Sequence, residues 1–293
     1  MLSKMKIDAL SSNRADMIGN YQFYAFLEKL MVEVREAQLT ELEYELCGIM
    51  TTYEALLDYY GQGADDPERE RVYHQLVGKA LLIGDCCTIA QHGGKELPYY
   101  TTQHKSARRE SMNTYQQQLE AFADGVKATG NMEEMKQLAA THDKHLSGIF
   151  VDLWTQGAWS SSTAAEADKL LLSSTITATD QCTIVSAVTL SLLRMFDPLK
   201  MLFLCDAYYH PQTVVSMRAL VGIVVICYCW GERMAWYSEV KARLSLLTDD
   251  PIFSDQVCEV VLQFIRSTDT EEINRKMREE IIPGLMKNPK LRN

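Results

Sequence analysis

Proline and glycine are scarce in this chain, 7 and 15 among 293 residues. Both end helices and make tight turns, so their shortage excludes a turn-rich architecture and predicts long helices. No segment alternates apolar and polar residues cleanly enough for a half-buried strand. VGIVVICYCW (221–230) has strand-like composition, but its sister segment SAVTLSLLRMF (186–196) has helical period. No basic cluster exceeds Arg108-Arg109, and the formal charge is −10, which argues against a nucleic-acid or anionic-membrane partner. The first twenty residues have no apolar run of about 7 to 15 residues, so no signal peptide is expected and a cytoplasmic location is predicted. The longest candidate span, Ala219 to Trp230, is bracketed by Arg218 and Glu232 and is shorter than the roughly 20 residues a membrane helix needs, so it reads as a buried core helix. The eight cysteines (47, 86, 87, 182, 205, 227, 229 and 258) include no CxxC pair and read as free thiols packed as small hydrophobes. HExxH, GxSxG, GxxxxGK[ST] and a strand-borne GxGxxG are all missing.

What is present is helical periodicity. Apolar residues make up 47% and charged residues 23%, as in a soluble globular protein, and a compact unit of this length buries roughly 75% of its unfolded surface. Phe23, Phe26, Leu27, Leu30, Met31 and Val34 line one face of a helix opening near Asn20. A second helix, with Leu42, Leu46, Ile49 and Tyr53, is predicted to start at the capping-box form Thr40-Glu41-Leu42-Glu43. Asp66-Pro67 starts a third, which Gly93-Gly94 is expected to stop. The segment from Lys95 to Thr102, with Pro98, reads as a connector, and a long polar helix is predicted from about Gln103 to Thr129. Gly130-Asn131 then stops that helix and caps a fifth, with Met135, Leu138, His142, Ile149 and Leu153 on its inner face.

From Ser160 the chain is more apolar and repetitive. Asp197 to Trp230 reads as two apolar helices folded back at His210-Pro211. DKLLLSS (168–174) laid over KMLFLCD (200–206) keeps an apolar triplet in register at an offset of 32, and the same shift superposes Ala187 on Ala219. A looser third copy places Leu244 to Leu246 about 42 residues after Leu202 to Leu204, with a turn at Pro251. Two helices per unit at a period of about 30 to 45 residues is the pattern of an α-solenoid.

These units resemble HEAT or armadillo-type repeats, in which the second helix opens with a β-branched run followed by alanine; HPQTVVSMRALVGI (210–223) carries the likeness most clearly. The Asp that precedes the Arg of a HEAT second helix is not present at Arg218. SAVTLSLLRMFD, YYHPQTVVSMRALVGI and KMREEIIPGLMK also resemble bacterial tetratricopeptide and helical-repeat proteins, over residues 130–293. In those the KMREEIIP stretch is followed by more chain. The resemblance implies an all-α fold. An N-terminal helical region over 1–157 leads into about three HEAT-like helix pairs over 158–293, wound as a right-handed superhelix, with truncation at the C-terminus as one reading.

Several constellations carry competing readings. His142 and His145 lie on one helix face, so acids from other helices would complete a metal or catalytic site, whereas the plain alternative is a half-buried His142 beside a solvated His145. Vicinal Cys86-Cys87 and the pair Cys227 and Cys229 point in different directions on a helix and read as packing. Ser160-Ser161-Ser162 reads as an N-cap. Tyr99-Tyr100, Tyr208-Tyr209 and the four tryptophans (154, 159, 230, 236) serve either as inter-helix packing or as binding aromatics. The run Asp269 to Glu280 reads as a solvated face with pairs Glu271–Arg275 and Glu272–Lys276. No catalytic, cofactor-binding or metal-binding residue is assigned and no cofactor is expected. The expected function is a non-catalytic scaffold for protein partners. The alternatives are an all-α enzyme or metal protein built on His142 and His145, and the N-terminal half of a longer multidomain protein.

Overall fold

The computed structural model describes residues 22–63, 66–96, 98–276 and 279; of residues 92–96, 268–269, 271–274 and 276 only the backbone is described. The amino-terminal lead and, apart from the Lys276 backbone and Glu279, the KMREEIIPGLMK stretch (276–287) lie outside these residues, and the pairs expected at Glu271 and Glu272 rest on undescribed side chains. Among the described residues every regular element is helical: α1 (Phe23–Glu36), α2 (Thr40–Gly61), α3 (Arg69–Glu96), α4 (Pro98–Ser106), α5 (Met112–Ala128), α6 (Met132–Thr155), α7 (Ser161–Leu171), α8 (Ala178–Arg194), α9 (Pro198–Tyr208), α10 (Thr213–Met234), α11 (Ser238–Thr248) and α12 (Pro251–Lys276). VGIVVICYCW lies inside α10. The chain divides into two compact units, residues 1–244 and 245–293; the boundary expected at 157/158 falls within the first.

Local chemistry sets most helix starts. A side-chain oxygen at the N-cap satisfies an amide that the first turn leaves without a partner. Ser111 accepts from the Thr114 amide, Asn131 from Glu133, Ser160 from Thr163, Thr177 from Asp180 and Asp197 from Leu199. Pro198 occupies the first turn of α9, where its missing N–H costs nothing. Asp66 Oδ1 likewise accepts the Glu68 amide at 2.9 Å before α3.

Three expected boundaries are corrected. Thr40 makes no capping box, because the N-cap of α2 is Leu39 and no side chain caps it; Glu43 instead takes a 2.7 Å bond from Arg35 Nε. Gly93-Gly94 does not stop α3, which continues to Glu96. The connector expected over 95–102 is largely α4, and the single helix expected over 103–129 is two helices broken at 107–111. The break has a distant cause. The Asp152 carboxylate accepts the Arg108 and Arg109 amides at 2.8 and 3.0 Å, and Arg109 sits at φ 58, so the backbone there cannot continue a helix.

In the first unit α1, α2 and α3 pack on one another, around Phe23, Phe26, Leu30, Leu46, Val77 and Leu81. α3 hands on to α4, and from there the helices lie in two ranks. α4, α6, α8 and α10 pack side by side in sequence, as do α5, α7 and α9, while α5 packs on α6 and α9 on α8 and α10. The approach of α8 to α10 is close enough that a Cβ on Gly222 would lie 2.6 Å from Thr189 Oγ1. Ile184, Val185, Val188 and Leu192 of α8 are at most 2% exposed, each stabilising the unit by about 1.5–3 kcal/mol. The N-caps Ser160 of α7 and Asp197 of α9 stand 37 positions apart.

In the second unit, Asp250 Oδ1 accepts the Ile252 amide at 2.9 Å at the start of α12. Ile252, Val261 and Leu262 are exposed on that helix.

Candidate functional site

The polar groups worth testing for function are those held inside the first unit, since a buried charge persists only with partners. His142 of α6 is buried. Its Nε2 hydrogen-bonds Asp180 Oδ2 of α8 at 3.1 Å, and its ring stacks on Phe122 at 3.9 Å. Its Nδ1 is 3.7 Å from Asp143 Oδ1. Asp180 is thus the acid from another helix, 38 residues away. His145 is half-buried rather than solvated, and His142 buried rather than half-buried. Among the described residues no group of three or more His, Cys, Asp or Glu side chains is placed to hold a metal ion.

A second constellation closes the corner between α6, α8 and α9. Lys200 is fully buried, and Nζ donates to Gln156 O at 2.9 Å, Gly157 O at 2.7 Å and Ser191 Oγ at 2.9 Å. Burial pulls its pKa down to about 8, against the opposing pull of Asp197. Burial raises the Asp197 carboxyl, opposed by Lys200 and by backbone amides; Oδ2 accepts the Trp159 amide at 2.7 Å. A third constellation is built on Asp152, which also takes the Tyr115 hydroxyl at 2.5 Å, while the Arg109 guanidinium donates to Asp152 O and Thr155 O at the end of α6. Burial, then the Asp152 bond, raises the Tyr115 pKa. A fourth joins α3 to α10: Arg233 Nη2 to Asp85 Oδ2 at 2.8 Å, both side chains 7% exposed, with the Tyr237 hydroxyl donating to Gly78 O at 3.0 Å.

None of these groups offers a free nucleophile to solvent. They work as staples at several sequence separations: 43 and 44 residues for Lys200 with Gly157 and Gln156, 44 for Arg108 with Asp152, and 37 to 39 for five further pairs. His142–Asp180, Trp159–Asp197 and Trp230–Leu192 O are each 38 residues apart, and His210–Leu171 O is 39. The Arg243–Asp206 pair is separated by 37. His210 uses both ring nitrogens, Nε2 donating to Leu171 O at 3.2 Å and Nδ1 accepting from the Gln212 amide at 3.1 Å. The sequence singled out Asp197, His142, His210, Trp159 and Trp230 but not how they pair, and it did not single out Lys200, Asp152 or the Arg233–Asp85 pair. The signal that could have found them is a charge inside an otherwise apolar run, as in PLKMLFL around Lys200 and VDLW around Asp152.

The buried and half-buried cysteines behave as packing groups, whereas Cys47, Cys229 and Cys258 are exposed. All eight are free thiols, and burial raises Cys86 and Cys227 to about 11 and Cys205 to about 12. Cys227 has a sulfur neighbour, Met234 Sδ at 4.0 Å. The aromatics divide: Tyr100, Tyr208, Trp159 and Trp230 are buried, Trp154 and Trp236 half-buried, and Tyr99 and Tyr209 exposed. The outer side of α10 is also uncovered, with Val214, Val221 and Tyr228 exposed, which corrects the expectation of a fully buried core helix. α10 spans 22 residues and is long and apolar enough to cross a membrane by length and composition. Comparison with known proteins found no family model, no curated protein and no solved structure that matches this chain.

Proposed function

We propose that the protein is a non-catalytic helical-repeat scaffold that holds protein partners, with residues 158–293 forming HEAT-like pairs in a right-handed α-solenoid. The observation that carries this reading is the recurrence of lateral hydrogen bonds at separations of 37 to 39 residues between neighbouring helices. A repeat whose members bond only to their neighbours builds an elongated surface rather than an enclosed chamber. The buried ionisable groups are absorbed in holding the ranks together, which leaves the exposed aromatics such as Tyr99 and Tyr209 as recognition groups. The working surroundings are the cytoplasm, and the partners are proteins rather than nucleic acid or membrane.

Affinity capture of the native full-length protein, followed by titration of each co-purified protein as a pure component, tests this. One-to-one binding weakened roughly tenfold or more by Tyr99→Ala or Tyr209→Ala is expected. Capture that yields no direct binder in purified form would count against the scaffold. The alternative of a metal or catalytic protein built on His142 and His145 has Asp180 in its favour; a stoichiometric metal ion in the purified protein, lost in His142→Ala, would establish it.

A further inference from the structure

A helix apolar on every side is ordinarily buried on every side, and α10 is not. It is the one described helix apolar and long enough for a membrane, yet only 39% of its apolar window is buried. Val215, Ala219, Leu220, Ile223 and Ile226 point inward. Opposite them run Val214, Arg218, Val221, Val225 and Tyr228, spaced 4, 3, 4 and 3 residues apart, which is a single seam. Val214 is 60% and Tyr228 80% exposed. From Ala219 to Gly231 there is no charged residue. The seam is bounded by exposed Arg218 at one end and exposed Glu232, just past the break in helical geometry at Trp230, at the other. Neither forms an ion pair among the described residues; the Arg218 guanidinium reaches only the Cys182 thiol of α8.

We propose that two copies of this chain associate through α10, packed antiparallel about a two-fold axis at Val225, so that Arg218 of each copy meets Glu232 of the other. A two-fold axis demands a self-complementary surface. In sequence Arg218 lies seven positions before Val225 and Glu232 seven after, the latter past the break at Trp230, and both are exposed, so an antiparallel arrangement sets each charge opposite its counterpart and closes the apolar seam on itself. Val221 then faces Cys229, and Tyr228 covers the Val221 to Val225 segment of the other copy. A lipid surface fits less well, because the seam has no flanking lysines and the chain carries ten net negative charges. An unrelated protein would not account for opposite charges placed evenly about the apolar centre. This association is independent of the scaffold reading: a monomer can still hold a partner, and pairing of the chain with itself requires none.

Light scattering over a concentration series tests it, with the mass expected to rise from 33.3 kDa to twice that value. Val221→Glu should weaken the association roughly tenfold or more. Arg218→Glu should also weaken it, and Arg218→Glu combined with Glu232→Arg should restore it, which a merely structural role for either residue would not produce. In a background with Cys47, Cys229 and Cys258 changed to Ser, Val225→Cys should give a disulfide-linked pair under mild oxidant. Arg218 and Val221 are exposed, so both variants should keep the native circular dichroism, and they decide the matter if Val225→Cys does not fold. A wild type that stays at 33.3 kDa throughout, a dimer indifferent to Val221→Glu, or a charge swap that fails to restore association would overturn the proposal.

Discussion

Lys200 holds an amine where no solvent reaches, between two carbonyl oxygens and a serine hydroxyl. Removing it leaves three buried acceptors without a donor, so Lys200→Met should lose about 2–5 kcal/mol of stability at neutral pH. The sign of the pH dependence follows from its pKa of about 8, below the ordinary 10.5. Between those values the unfolded chain binds a proton that the folded chain does not, so the folded state gains from Lys200 as pH rises through the window, by at most about 3 kcal/mol. The gap in urea midpoint between wild type and Lys200→Met should therefore widen from pH 8 to pH 10.5; a gap that narrows would contradict the burial of this amine. The comparison must be made against the variant, because the raised thiols of Cys86, Cys205 and Cys227 act oppositely. Those thiols titrate from about pH 9 in the unfolded chain but stay protonated when folded, which lowers stability as pH rises. The same burial predicts a reactivity pattern. At pH 8 a thiol reagent should modify exposed Cys47 and Cys258 promptly and the buried Cys87 and Cys205 only on unfolding, as peptide mapping of the labelled protein would show.

Among the elements, helix starts marked by a single side chain were legible in the sequence: Asn131, Ser160 and Asp197 each cap as their residue type predicts, because the interaction spans two or three positions. The turn at His210-Pro211 was legible for the same reason. The break between α4 and α5 was not, since it depends on Asp152, more than forty residues downstream. Nor was the side-chain partner of His142, because nothing local distinguishes Asp180 from any other acid. The contact of α8 with α10 offers a test of element packing. Gly222→Ala should destabilise by about 1–3 kcal/mol, since the new methyl meets Thr189 Oγ1. In a Thr189→Ala background the same change should be neutral or stabilising, because alanine favours the helix by about 1 kcal/mol over glycine. Equal costs in both backgrounds, read by thermal melts, would refute the close approach.

For the molecule as a whole, the all-α class followed from the shortage of proline and glycine, whereas the offset of 32 was read from apolar triplets, which mark helices without fixing how they stack. Within the first unit, Asp85–Arg233 and Gly78–Tyr237 bond α3 to the end of α10 and to Tyr237 just beyond it, across 148 and 159 residues. Asp85→Ala leaves the Arg233 guanidinium, 7% exposed, without its carboxylate partner and should cost about 3–5 kcal/mol. Its effect should concentrate on the packing of α1–α3, so hydrogen exchange should accelerate there before it does in α8. Uniform acceleration would show that the unit opens as one piece.

The separations of 37 to 44 residues between most staple partners have a consequence for how the chain is made. Contacts of low sequence separation form early and fast, and a ribosome releases the chain from its amino terminus. Each staple partner therefore emerges one helix pair after the residue it binds, so pairs can add to a folded stub as synthesis proceeds. Arg233 and Tyr237 break this order: α1–α3 must wait some 150 residues of synthesis for them. The amino-terminal helices, first made, are then the last to be locked, and nascent chains arrested before Arg233 should show protease-sensitive α1–α3 beside protected α6 and α8.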